Sequence, residues 1–342
     1  MYIFKELLED IKEATGTSDI KEAISRSDLP LTLLGGALDR ILIKGYNEYP
    51  SNVEVLVKPD TVKDFRQAER LMTFGSDGTL EGVRELAEYP YAGRSEGRYT
   101  FRVGKFGRKI AFSWEDFIND DLNSLGDQAY RFGRGAKKSE QRFITSLFWD
   151  AAGPNALFFN QQNGNLTNTA LSVTGLATIL GNIAKRVDPN TGDPIAVTGW
   201  KLEVCPALEI TARNILDAIQ IEIPEQTINA NQTTKMMVNN WLRSRLTLVV
   251  NPWIPIVNQA ANNTTCFALY ADYNDVAAGN FARLRGHEQP EIWMKKPNAV
   301  KIGGGEDPFN GDFDTDAVEY KVRHVFGGTL MDPLGAYAST GQ

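Results

Sequence analysis

Apolar positions along the chain follow a helical period in some stretches and alternate in others. In "IFKELLEDIKEA", Ile3, Phe4, Leu7, Leu8 and Ile11 share one helix face. "LTLLGGALDRILIKGY" follows, apolar but interrupted by Gly35 and Gly36. Residues 1–50 thus read as an arm with little core of its own, which packs on the body or on a neighbouring chain. The strongest helical pattern spans 124–149, where Leu125, Ala129, Phe132, Ala136, Phe143 and Leu147 fall on one face. Arg131, Arg134, Lys138 and Arg142 fall almost opposite. In "RYTFRVGKFGRKIAF" the period changes to two: Tyr99, Phe101 and Val103 alternate with Arg98, Thr100 and Arg102. That is a ribbon with one apolar and one basic side. It needs a partner strand and a surface to lie on, because an isolated pair of strands is marginal in water. "VKDFRQAERLMTF" supplies the partner as the second arm of a long hairpin, although its propensity leans helical.

Beyond residue 150 short helices and strands are mixed. "TGLATILGNIAKRV" and "ALEITARNILDAI" read as helices; "WKLEVCP", "RLTLVVNPWI", "TCFALYAD", "PEIWMKK" and "AVEYKVRHVFGGTLMDP" read as strands. There is no regular strand–helix–strand succession, so the class is α+β.

Composition narrows the function. With 42% hydrophobic and 23% charged residues in 342, the chain can bury a sizeable core. A net charge of -7 argues against a surface that grips nucleic acid everywhere and leaves room for one basic face. The two cysteines, Cys205 and Cys266, have no paired spacing such as C-x-x-C, which argues against both a disulfide scaffold and a structural zinc site and fits a reducing compartment. The amphipathic, charged start does not read as a signal peptide, and no run is long and apolar enough to span a membrane. The only histidines, His287 and His324, read as strand histidines.

Candidate chemistry is sparse. "FGRGAKKS" and "KIGGGEDP" lack the spacing of phosphate-binding loops, and no nucleophile elbow occurs. "DFDTDAVEY" imitates a calcium loop at Asp312, Asp314 and Asp316. It then offers Ala317 where a glycine is needed and Arg323 where a bidentate acid is needed. "FSWEDFINDDLNSLGDQ" gathers Glu115, Asp116, Asp120, Asp121 and Asp127, either as a carboxylate metal centre or as helix punctuation. Two serine-to-aspartate spacings, Ser113 with Asp116 and Ser124 with Asp127, match capping boxes. Acids in a first turn also complement the helix dipole. No histidine, lysine or nucleophile lies near, so punctuation is preferred, and no cofactor or metal is expected.

With these elements in order, the segment "LEGVRELAEYPYAGRSEGRYTFRVGKFGRKIAFSWEDFINDDLNSL" resembles the major capsid proteins of tailed phages, in the Mu-like major head subunit group. "DFRQAERL", "EYPY", "YTFRV" and "SWEDFINDDL" carry the resemblance, and "VEYKVRHVFGGTLMDPLGAY" is similar to the closing strand of that family. It implies the Hong Kong 97 fold, with 1–50 as the N-terminal arm and 51–112 as the extended loop. Residues 113–187 plus 313–342 would form the peripheral domain around a spine helix, and 188–312 the axial domain. It also implies that 62–74 is strand. The expected function is a major head protein that self-assembles into hexamers and pentamers of an icosahedral shell around double-stranded DNA. Such a protein is no enzyme and is found in the virion capsid after assembly in the host cytoplasm.

On this reading Arg131, Arg134, Lys138 and Arg142 face packaged DNA without reading its sequence. Arg94, Arg98, Arg102, Arg108 and Lys109 belong to the loop that crosses to a neighbouring subunit. The short arm implies a separate scaffolding protein; a portal and possibly a decoration protein are further partners, and no membrane is involved. Lys58 and Lys63 lie where some members form covalent cross-links. Two other readings stay open: an encapsulin-type compartment enclosing protein cargo, and, from a different class, a carboxylate–metal enzyme at 115–127.

Overall fold

The structure, a computed structural model, describes residues 31–74, 83–86, 88–89, 95–113, 115, 122–187, 192, 194–195, 197–224, 235–296, 298–299, 302 and 311–341. The helix expected at residues 3–11 lies outside them. In chain order, helix α1 spans Leu31–Glu48, β1 Lys58–Val62, β2 Ala68–Phe74, β3 Ser95–Phe101 and β4 Val103–Phe112. The long helix α2 runs Leu122–Phe148, and three two-residue strands follow, β5 Trp149–Asp150, β6 Gly153–Pro154 and β7 Leu166–Thr167. Then come α3 Val173–Ala184, β8 Trp200–Val204, α4 Glu209–Asp217, β9 Gln220–Pro224, β10 Lys235–Asn239 and β11 Leu246–Val250. The last part comprises the single turn α5 Ile254–Val257, β12 Phe267–Ala271, β13 Gly279–Leu284, β14 Glu291–Met294, β15 Val318–Leu330 and β16 Ala336–Ser339.

The chain packs as two units. One holds residues 1–50, 105–139 and 286–325; the other holds 51–104, 140–285 and 326–342. These boundaries differ from the four segments drawn from the sequence. α2 passes from one unit to the other between Ser139 and Glu140, and β15 between Val325 and Phe326. A long element buries each half against whatever lies beside it, so contacts divide it where sequence patterning does not.

The larger unit is built on a mixed sheet ordered β11-β8-β12-β16-β7. Alternation along its strands feeds two cores. Leu202, Val204, Phe267, Leu269 and Tyr337 face one side, where Leu176 and Ile179 of α3 and Ala212 and Leu216 of α4 cover them. Cys205, Cys266, Ala268, Tyr270, Ala336 and Ala338 face the other, against Ile144, Phe148, Trp149, Phe281 and Phe326. β16 lies in this sheet between β12 and β7. β1 pairs in parallel with β13, and β13 antiparallel with the second half of β15. In the smaller unit β14 pairs with Tyr320–Arg323 of β15, and Leu38, Phe112, Ala129, Val318 and Tyr320 form the core.

The hairpin appears as expected over part of its length. β2 pairs antiparallel with β3, Ala68 opposite Phe101 and Phe74 opposite Ser95, so the ambiguous segment is strand. Tyr99, Phe101 and Val103 form the more buried side while Arg98, Thr100 and Arg102 are exposed. The single strand expected from 98 to 112, however, breaks at Arg102, and β4 leaves the hairpin to pair with β15. Gly327 explains the tight passage: a Cβ there would collide with the Arg102 carbonyl oxygen. Gly328 is fixed likewise from its other side, by the Asn280 carbonyl.

Candidate assembly and DNA-facing surfaces

In the smaller unit α1 crosses the first half of α2 at backbone distance. A Cβ on Gly133 would strike the Leu42 carbonyl, and one on Gly45 would strike the carbonyl of Tyr130. Close approach brings the end of α1 beside the basic stripe. All four predicted cations, Arg131, Arg134, Lys138 and Arg142, are exposed. Three of them have partners among the described residues. Arg131 donates to Asp127 at 2.7 Å, one turn earlier. Arg134 and Lys138 lie over the ring of Tyr49 at 5.5 and 5.6 Å, and Arg134 also lies 5.9 Å from the ring of Tyr130. The Tyr130 hydroxyl donates to Glu48 at 2.8 Å. Asp127 is therefore an ion-pair partner one turn inside α2, not the first-turn acid expected from the sequence.

The capping expectation needs one correction. α2 is already helical at Leu122, so Ser124 lies inside its first turn and is not the residue that starts it. Hydrogen-bonded helix geometry began earlier than the apolar pattern did. Asp116, Asp120 and Asp121 lie outside the described residues, and Glu115 is exposed. Among the described residues no group of three histidines, cysteines or acids converges as a metal site. Asp312, of the calcium-like stretch, accepts from Lys295 at 3.1 Å. That lysine holds its carboxyl below the usual aspartate value, with Asn298 contributing.

At the hairpin, Arg70 grips Asp60 with two hydrogen bonds, 2.7 and 2.9 Å, and also donates to the Thr61 carbonyl at 3.2 Å. This ties β2 to β1. Arg98 pairs with Glu69 across the ribbon at 2.7 Å. Leu71, opposite Arg98, is 64% exposed. Arg102, Arg108 and Lys109 are exposed, Lys109 within 3.7 Å of Glu319; Arg94 lies outside the described residues. Lys58 and Lys63 are exposed.

Two buried polar clusters escaped the sequence reading. On β8, Glu203 is buried and accepts from Trp149 Nε1 at 3.0 Å, the Tyr270 hydroxyl at 3.0 Å and Asn251 Nδ2 at 2.6 Å. Burial pushes its carboxyl up and the three donors, Asn251 first, pull it part of the way back. On α2, Glu140 is fully buried and meets Arg283 of β13 through two bonds, 2.9 and 3.0 Å, while Arg283 also reaches Glu54 at 3.1 Å. The buried stripe of α2 therefore includes Lys137, Glu140, Gln141 and Thr145 beside Ala129, Ala136, Ile144 and Phe148. The apolar face read from sequence sits at its flank, with Phe132, Phe143 and Leu147 half-buried. The one available signal was a glutamate set among apolar neighbours in "WKLEVCP".

Residues 98–339 match the family described as Phage capsid protein. The chain belongs to that family and is a tailed-phage major capsid protein, a shell-forming component of the virion capsid. Among solved structures, one titled "Capsid of empty GTA particle computed with C5 symmetry" is 10% identical over 85% of this chain and 90% of that chain, at TM-score 0.50. A structure titled "Gordonia phage Cozz" is 14% identical over 84% of this chain and 85% of that chain, at 0.46, and the capsid structure of Cyanophage P-SCSP1u 11% identical over 85% and 88%, at 0.48. The fold is that of Hong Kong 97. No curated protein matches the chain.

Proposed function

We propose that this major capsid protein builds hexamers and pentamers of an icosahedral shell around double-stranded DNA, assembling in the host cytoplasm. The β2–β3 hairpin, within 51–112, is the extended loop that lies on a neighbouring subunit; 1–50 is the arm, 113–187 plus 313–342 the peripheral domain and 188–312 the axial domain. The observation that carries this reading is the hairpin itself. Arg70 anchors it at its base, it pairs along its own length, and Leu71 on it is left exposed. Such a ribbon gains a stable setting when a second chain covers it.

The basic stripe on α2 supports a DNA-facing role through phosphate contacts, which carry no sequence information. Arg142 is the sharpest probe, because Arg131, Arg134 and Lys138 also have partners within the chain. A separate scaffolding protein, a portal and a decoration protein are the further partners proposed.

Electron microscopy of the purified full chain tests the shell: closed particles support it, and small unassembled particles under every assembly condition refute it. Replacing Arg131, Arg134, Lys138 and Arg142 with glutamine then tests the stripe. Intact shells that lose DNA are expected; normal packaging would assign the stripe to solvent alone.

A further inference from the structure

β8 and β12 are antiparallel, with Val204 opposite Phe267 and Glu203 opposite Ala268. One step further along the same register sets Cys205 opposite Cys266. The backbone at Cys205 is still extended, at φ -72 and ψ 160, so strand geometry reaches it. Opposed residues of an antiparallel pair send their side chains to the same face. Both cysteines indeed lie in one apolar cluster with Ala268 and Tyr270, whereas Val204 and Phe267 face the other core.

The ladder ends at this pair. The Cys266 amide donates to the Asn262 carbonyl at 3.0 Å, and the Cys205 carbonyl accepts from Leu208 at 3.0 Å. The Asp272 amide donates to the Gly199 carbonyl at 3.2 Å, so Gly199 and Asp272 form a hydrogen-bonded pair, and the alternation along the register puts Cys205 and Cys266 at another position of that type. Residues opposed there stand with Cα atoms about 5.5 Å apart, within the roughly 4.4–6.8 Å that a disulfide spans. Both thiols are free and buried. Cys205 donates to the Thr264 carbonyl at 2.9 Å, and Cys266 accepts from Asn258 at 3.4 Å. Burial pushes the Cys266 thiol up to about 12, and the neighbouring Cys205 adds to that.

We infer that Cys205 and Cys266 are a latent intrachain disulfide site, closed by a low-molecular-weight disulfide such as glutathione disulfide when this end of the sheet opens. One cysteine thiolate attacks a sulfur of the oxidant and expels one glutathione thiolate, forming a mixed disulfide. The second cysteine, deprotonated, attacks that bond and expels the second glutathione thiolate. The two protons lost by the cysteines end on the two glutathiones, which are reduced as the protein pair is oxidised. Because a buried, protonated thiol is a poor nucleophile, the rate follows local opening of the strand ends. The bond would fasten both ends of segment 206–265, which contains α4 and β9 to β11.

The test treats the full chain with glutathione disulfide at mildly alkaline pH, over a urea series that stops below global unfolding, then blocks remaining thiols and maps peptides by mass spectrometry. The expected result is simultaneous loss of both thiols. The product is a chain two hydrogens lighter with a Cys205–Cys266 linked peptide, and it migrates as a monomer without reductant. Its urea midpoint is expected to rise above that of the reduced chain. Under the same conditions Cys205→Ser and Cys266→Ser each take up one glutathione. Stable glutathione adducts on both wild-type cysteines, chain-to-chain dimers, or two thiols still free at the onset of unfolding would each overturn the inference.

Discussion

Burial holds the Glu203 carboxyl above the ordinary glutamate value of 4.5. Folding therefore favours its protonated form. The stability it contributes is complete below the unfolded value and is lost as pH rises through the raised folded value. Urea melts of the unassembled chain should show this as a downward slope above about pH 4.5, at most about 1.4 kcal/mol per pH unit for one proton. Glu203→Gln keeps one acceptor oxygen, enough for the Trp149 and Tyr270 donors that share Oε2 but not for Asn251 at Oε1, and should remove that slope; an unchanged slope would place the titration elsewhere. Arg283 makes a contrasting case. Arg283→Leu leaves the buried Glu140 without its two guanidinium bonds, and stripping one partner from a buried pair costs roughly 3–5 kcal/mol. Equilibrium unfolding measures it, and a loss below about 1 kcal/mol would mean that water solvates Glu140 in the variant. Neither cluster was legible in the sequence. Each joins residues far apart in the chain, Glu203 with Trp149 and Tyr270, and Glu140 with Arg283. Residue type signals such a partner only weakly.

At the scale of elements, legibility followed periodicity. Alternation at Tyr99, Phe101 and Val103 announced the ribbon, and its apolar side is the buried one. The change of partner at Arg102 was invisible, because it depends on the close passage of β15 at Gly327. α2 was readable as a helix, yet its buried stripe was misplaced. Four polar side chains lie in that stripe, and no hydrophobic pattern counts them. The crossing of α1 and α2 turns on Gly45 and Gly133, which the sequence shows only as two glycines in helical runs. Gly133→Val is expected to force the helices apart at a cost of about 1–3 kcal/mol, the usual range for overpacking. Thermal melting should show the loss and limited proteolysis should show new cutting within residues 31–48. Unchanged protection there would mean that the crossing tolerates a shift.

For the whole molecule, folding and assembly make separable demands. Leu71 is exposed on the hairpin and lies outside both cores of the larger unit. Leu71→Asp should leave the melting temperature of the isolated chain within a degree or two, since exposed substitutions usually change stability by less than about 0.5 kcal/mol. It should nevertheless block shell formation in sedimentation and electron microscopy, because a charge would be buried where the ribbon meets its neighbour. Normal shells from this variant would remove Leu71 from the contact.

The sequence by itself determined the α+β class, the hairpin, the long helix and its outer cations, because periodicity and local charge are properties of neighbours along the chain. The resemblance carried by its motifs led to the capsid family that residues 98–339 match. Tertiary structure alone decided which strand β4 pairs with, how α2 and β15 divide between two units, which cations of the stripe have partners, and that Cys205 stands opposite Cys266. Each of these is set by contact between segments distant in sequence, where backbone approach and desolvation choose the partner and local pattern does not.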